Sequence, residues 1–318
     1  MDKYYILIIP ALIMGTFARV HMIKSDYRQY PTYPRGYLSH FTLGFIAAGL
    51  GSVALPALIE KEFAAITFLA LAAQQFREVR SMERESLDNI EITEMVPRGT
   101  AYIEDIAKTF EARNYMAIII SLVTSTVIYI CIIFKINRYM SIFSGMIAGL
   151  IVYIFIKRMI RGEEIADISD VRGAKISFDG PVLKINGVII INVGLQKTRD
   201  VFLSRGLAVE IIPKDENAVT YLSNIGQRQA IQHNAANQLG IRKDADEPEF
   251  TPMAKRNPEN GNIVMSIVVM KPDVDIDALI EAVKRTPLLE TSKRKPSDSV
   301  VGQILGKNKK GCNICKLN

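Results

Sequence analysis

The chain has 318 residues, of which 49% are hydrophobic and 23% charged, with no Trp and a formal net charge of +6. Its mean hydropathy is +0.15, an excess concentrated in residues 1–156 that excludes a soluble single-domain enzyme, a disulfide scaffold and a collagen or coiled-coil rod. The expected fold class is an α-helical multi-span membrane domain (1–160) followed by a cytoplasmic α+β domain (165–290) and a basic disordered tail (291–318), about two domains for this length.

Five uncharged runs are expected as spans: 4–18, 39–59, 63–76, 115–134 and 139–156. A hydrocarbon core about 30 Å thick takes roughly 20 helical residues. The second, fourth and fifth runs therefore qualify directly. The first needs flanking residues, with Arg19 snorkelling to the interface, and the third is short. If all five cross, one side receives 13 basic residues and the other 4. The positive-inside rule then predicts a multi-pass protein of the bacterial cytoplasmic membrane, N-terminus outside and C-terminal domain in the cytoplasm. Such charge also suits anionic lipid heads, so the expected partners are the lipid bilayer and a cytoplasmic protein, with no nucleic acid. A homo-oligomer is allowed.

Polar groups are scarce in these runs, and none holds a buried acidic or basic residue, which argues against a proton-coupled transporter. His40 reads as an interfacial imidazole. Gly44, Ala48, Gly51, Ser52, Gly145, Ala148 and Gly149 suit close helix packing. Between the first two runs, Tyr27, Tyr30, Tyr33 and Tyr37 with Pro31 and Pro34 read as an aromatic belt or, second, a partner surface.

The loop 77–114 begins as a charged continuation of the third run. Val96-Pro97-Arg98-Gly99 breaks that helix. A second helix starts at Thr100, with Ile103, Ile106, Ala107 and Phe110 on one stripe and Glu104, Asp105, Lys108 and Glu111 opposite.

Tyr102-Ile103-Glu104-Asp105-Ile106-Ala107 resembles the hexapeptide that names the YIEGIA family, a membrane-protein family of endospore-forming Firmicutes. Val96–Gly99 and Phe110-Glu111-Ala112-Arg113-Asn114-Tyr115 are similar to its surroundings. Asp105 stands where that name has Gly. The resemblance implies a sporulation-associated bacterial membrane protein and carries no established chemistry.

In the C-terminal half, 174–179, 182–185, 188–193, 208–212 and 263–270 read as strands, with Asn186-Gly187 as a hairpin turn. Residues 216–239 read as one helix closed by Gly240, and 275–285 as another. Residues 243–262 are expected as a mobile loop. His233, between Gln229 and Asn237, is expected on a solvated or partner-facing helix side.

No phosphate loop, dinucleotide fingerprint, H-E-x-x-H or G-x-S-x-G occurs, and no metal or cofactor is expected. Asp179, in Asp-Gly, and Asp200 are weak catalytic candidates for a protease. Cys312 and Cys315 form a terminal C-x-x-C thiol pair; tetrahedral zinc would need two more ligands. The leading expectation is a sporulation-associated anchor or regulator that docks a cytoplasmic partner through Arg98, Tyr102, Glu104 and Arg113. The alternative is a membrane-bound protease or a protease-activating subunit.

Overall fold

The computed structural model describes residues 4–26, 34–160, 162–295 and 299–301, with side chains for all of these except 23–26 and 34–37. The tyrosine-rich loop side chains and the Cys312/Cys315 pair lie outside what is described. The chain divides into two compact units, Met1–Ser86 with Ile106–Arg161 and Leu87–Asp105 with Gly162–Asn318.

The first unit is built from α1 (Tyr5–Asp26), α2 (Pro34–Ile59), the first part of α3 (Phe63–Glu91), most of α4 (Thr100–Ile133) and α5 (Arg138–Ile160). Among the described residues, four helices are long and apolar enough to cross a membrane: Tyr5–Met22, Leu38–Ile59, Thr100–Ile133 and Arg138–Ile160. Run 63–76 is not among them. Its uncharged part ends before Arg77, so it would reach only about 21 Å as helix.

Helix α4 is the hub of this unit. Met116 and Ile120 pack with Met14, Ala18 and Met22 of α1 and Tyr153 of α5, and Ala117 packs with Ala47 of α2 and Phe76 of α3. Small residues allow these approaches, as the sequence led us to expect. A Cβ on Gly145 would come within 2.3 Å of Ile128, and one on Gly149 within 2.3 Å of Thr124. Ser121 donates to the Ala11 carbonyl at 2.9 Å, so the α1–α4 contact also carries a hydrogen bond. Two neighbouring glycines give a controlled test. A Cβ at Gly51 would meet the Ile118 carbonyl oxygen at 2.2 Å, whereas one at Gly49 would meet only Leu12 at 3.9 Å. Gly51→Ala is expected to cost about 1–3 kcal/mol through overpacking, and Gly49→Ala to be near neutral; thermal unfolding of the purified protein separates them.

The second unit is an α+β sandwich. Its strands are β1 (Ser169–Gly173), β2 (Ile176–Asp179), β3 (Val182–Ile185), β4 (Val188–Asn192), β5 (Gly206–Pro213), β6 (Met253–Arg256) and β7 (Ile263–Val268). They form a four-stranded sheet, β1-β5-β7-β6, and a three-stranded sheet, β2-β3-β4, with every pairing antiparallel. Side chains alternate across a strand, and β7 buries both faces. Ile263, Met265 and Ile267 face a core shared with α9 (Ile225–Leu239) and α10 (Ile276–Lys284). Val264 and Val268 face a second core shared with Leu183, Ile185 and Ile190 of the smaller sheet and Phe202 of α7 (Gln196–Arg205).

Three expectations need correction. The helix over 216–239 is two helices, α8 (Glu216–Ser223) and α9, because extended Asn224 caps α9 by accepting from the Gln227 amide. Segment 243–262 is not wholly loop: it carries a 3-10 turn at Pro248–Phe250 and β6, anchored by Phe250, only 4% exposed. The α+β unit also begins earlier than 165, since it takes in 87–105, and it runs past 290: Ser292 is buried and hydrogen-bonded to Gln227.

Candidate functional site: the signature segment held by helix α9

The segment joining α3 to α4 is stitched into the α+β unit by one buried polar node. Pro97 and Gly99 end helical geometry, and Glu91, the last residue of α3, turns its carboxylate onto the freed backbone. One oxygen accepts from the Arg98 amide at 3.0 Å and the other from the Gly99 amide at 2.6 Å. Gly99 has φ +85°, a left-handed conformation that suits glycine, and a Cβ there would lie 2.4 Å from the Gln229 amide oxygen on α9. Close approach continues one turn on, where a Cβ at Gly226 would lie 2.6 Å from Ala101. Val96 joins the sheet–helix core, and Lys243 donates to the Met95 carbonyl at 2.9 Å.

Arg98 is the centre of the node. Its side chain donates from Nε to His233 Nε2 at 3.2 Å and from Nη2 to Glu94 at 2.8 Å. The hydrogen bonds fix the imidazole's protonation. His233 Nδ1 lies 2.6 Å from the Val96 carbonyl oxygen, which can only accept, so Nδ1 carries the proton. Nε2 must then hold the lone pair that receives Arg98. The site therefore requires a neutral imidazole. Burial pushes His233 below its ordinary range, and Arg98 adds to the effect against the opposing pull of the Val96 carbonyl, Glu94 and Glu91. The Tyr102 ring meets the same imidazole edge-on, with centroids 6.3 Å apart.

The sign of the pH dependence follows. A group whose folded pKa lies below its unfolded value of about 6.5 loses stability for the fold as pH falls from 6.5 towards the folded pKa. We expect the midpoint of thermal unfolding to decline between pH 7.5 and pH 5.5 in the wild type. The slope should flatten in His233→Gln, which removes the titrating group; an unchanged slope would contradict the assignment.

The polar side of α9 is thus internal, which corrects the expected solvated face. Gln227, fully buried, donates to the Pro287 carbonyl at 3.0 Å and accepts from the Leu289 amide at 2.8 Å. Asn234 donates to the Ala282 carbonyl and to Thr286. Polar residues on a helix otherwise facing a core signal such buried fastenings as readily as they signal solvent. Asp105 sits inside α4 and accepts from the Glu290 amide at 3.2 Å, so a carboxylate at this position has a structural use and the helix needs no glycine there.

The four expected binding residues separate. Arg98 and Tyr102, 4% and 3% exposed, are internal supports of the α+β unit. Being buried, they cannot form the open face of a docking surface, which corrects that expectation for both. Arg113 is 7% exposed and belongs to the helical unit, so the same correction applies. Glu104 is half-buried on α4. The two catalytic candidates are exposed. Asp179 ends β2 and accepts from Lys184 at 2.5 Å, which holds its carboxyl below the usual range; Asp200 lies on α7 and accepts from Gln196 at 2.9 Å. Among the described residues, no three His, Cys, Asp or Glu side chains converge as a metal ion would require.

These features define a class: a protein with four helices long and apolar enough to cross a membrane, whose α+β unit is assembled from two stretches of chain separated by two of those helices. The chain belongs to the YIEGIA family, whose model, described as "YIEGIA protein", matches residues 7–299. A relative in Bacillus subtilis (strain 168), "Uncharacterized protein YphB", is 38% identical over 303 residues, covering 95% of this chain and 98% of its own length. No solved structure matches.

Proposed function

We propose that this protein is a non-enzymatic, sporulation-associated anchor or regulator of the bacterial cytoplasmic membrane that docks a cytoplasmic protein. The observation that carries this reading is the exposure of large apolar side chains on the α+β unit, a unit to which the family's signature segment is fastened by Arg98 and His233. Residues 105 and 162 belong to one unit and are separated by α4 and α5. Their return to one side is what two crossings would produce, and the greater number of Lys and Arg residues counted on that side, 13 against 4 if all five runs cross, favours the cytoplasm for it. An N-terminus outside requires that 63–76 cross as well, although it is not among the four helices long and apolar enough to do so.

Docking then falls to exposed positions on the α+β unit. Leu195, Leu203 and Met270 are each at least 60% exposed, more solvent-facing than a folding role requires. Cross-linked pull-down from sporulating cells with the full-length protein as bait tests the reading. The wild type should capture a cytoplasmic protein that a Leu195→Ser/Leu203→Ser/Met270→Ser variant, folded and membrane-inserted, loses. Capture of nothing by the wild type, together with accumulation of an uncleaved protein on deletion of the gene, would overturn it in favour of a protease role.

A further inference from the structure

The 87–105 segment also carries the most exposed large apolar side chain among the described residues. Ile92, just past the end of α3, is 88% exposed, and Met95 is 44% exposed. Asp88, itself exposed, stands one helical turn before Ile92, on the same side. The turn at 243–247 lies alongside. Lys243 donates to the Met95 carbonyl at 2.9 Å, and the Glu247 amide donates to the Asp244 carbonyl at 3.1 Å. That turn adds exposed Asp244 and Asp246 and half-buried Glu247 to the same face.

The charge of this face is one-sided. Residues 88–95 and 243–250 contain seven acids and a single base, Lys243. Glu91 and Glu94 are taken up by the Arg98 node, and Lys243 by the Met95 carbonyl. Among the described residues, no lysine or arginine pairs with Asp88, Asp244, Asp246 or Glu247. An exposed isoleucine inside an acidic rim is complementary to a segment that is both apolar and basic.

Residues 302–318 have that chemistry. They hold Lys307, Lys309, Lys310 and Lys316 together with Ile304, Leu305, Ile314 and Leu317, and no acid. They are also within reach. Ser292 is hydrogen-bonded to Gln227 of α9, and His233, further along α9, is hydrogen-bonded to the Val96 carbonyl. The step from Gln227 to His233 is about 9 Å of helix. From Val96 back to Ile92 the chain covers at most about 14 Å. With side chains included, the face is roughly 40 Å or less from Ser292, whereas residues 293–310 span up to about 60 Å when extended.

We infer that residues 302–318 dock on this face of their own chain, with lysines against Asp88, Asp244, Asp246 and Glu247 and apolar side chains over Ile92 and Met95. Segment and face belong to the same unit. A short tether gives an effective concentration of about 1 mM, so an affinity of only about 0.1 mM keeps the face covered roughly nine-tenths of the time. This docking is independent of the protein partner proposed above, since it uses neither Leu195, Leu203 nor Met270.

Full-length protein in phosphatidylcholine nanodiscs would be treated at low salt with a carbodiimide, which joins lysine amines to carboxylates in contact. An equal mixture of isotopically light and heavy protein separates links within a chain from links between chains. The wild type is expected to join Lys307, Lys309 or Lys310 to Asp88, Asp244, Asp246 or Glu247 within one chain, and less so at high salt. Ile92→Ser leaves every charge in place and removes no buried contact. It should weaken docking about tenfold, which lowers the yield of these links to about half. Links to acids elsewhere, links chiefly between chains, or a yield indifferent to Ile92→Ser would overturn the proposal. Lysines that link to none of these acids, and are shielded only when phosphatidylglycerol is added, would overturn it in favour of the membrane surface.

Discussion

Arg98→Ala is expected to produce the largest single loss of stability in the α+β unit, about 3 kcal/mol. The side chain is 5% exposed and pairs with Glu94, itself 27% exposed. Truncation strands a partly buried carboxylate and leaves His233 Nε2 without its donor. Removing one partner of a buried pair exceeds the net value of the pair, because the remaining group keeps its desolvation cost. For a unit of this size the midpoint should fall by roughly 6–12 °C. Arg98→Lys should recover only part of the loss, since one ammonium lacks the guanidinium fork that reaches Glu94 and His233 together. Differential scanning calorimetry of the three proteins gives the ranking.

Glu210→Ala is expected to rank second, at about 2 kcal/mol. Glu210, on β5, is 5% exposed and accepts from Asn262 at 2.7 Å, from Asn186 at 2.9 Å and from both Nε and Nη2 of Arg172. It ties the Asn186 turn of the smaller sheet to the larger sheet and to the turn before β7. Loss of the carboxylate leaves the buried Asn262 amide unsatisfied, while exposed Arg172 returns to water, so the penalty is that of one or two orphaned groups. Burial by itself would raise the Glu210 pKa, but the bonds from Asn262, Arg172 and Asn186 outweigh it and the net shift is downward. A depressed carboxyl stabilises the fold above its unfolded value of about 4.3 and ceases to do so as pH falls through the folded pKa. The wild type should therefore lose this contribution in acid, in a window below that of His233. In Glu210→Gln the acid-side slope should shrink while the pH 5.5–7.5 slope stays.

What could be read from the sequence was local. The Asn186-Gly187 turn, the Gly240 stop with φ +71°, the break before Thr100 and two of the five strand expectations within a residue at each end follow from chemistry carried by a few neighbouring residues. Strand β1, Ser-Asp-Val-Arg-Gly, has one large apolar residue and pairs only at the sheet edge, so it has no hydrophobic signature to find. Two buried polar contacts were hidden for a different reason. Arg98 and His233 are 135 positions apart; Arg19, fully buried, and its acceptor Asn114 are 95 apart. A lone arginine at the end of an apolar run looks the same whether it snorkels or is buried. Its neighbours decide, and those neighbours belong to other helices.

The central claim is that the signature segment is a fixed part of the α+β unit. Hydrogen exchange of the full-length protein in lipid nanodiscs tests this most directly, because the Arg98 and Gly99 amides both donate to the Glu91 carboxylate. Protection of these two amides at the level of the α9 backbone, lost in Arg98→Ala, is the predicted result. Exchange at the rate of an open loop in the wild type, while α9 stays protected, would contradict it.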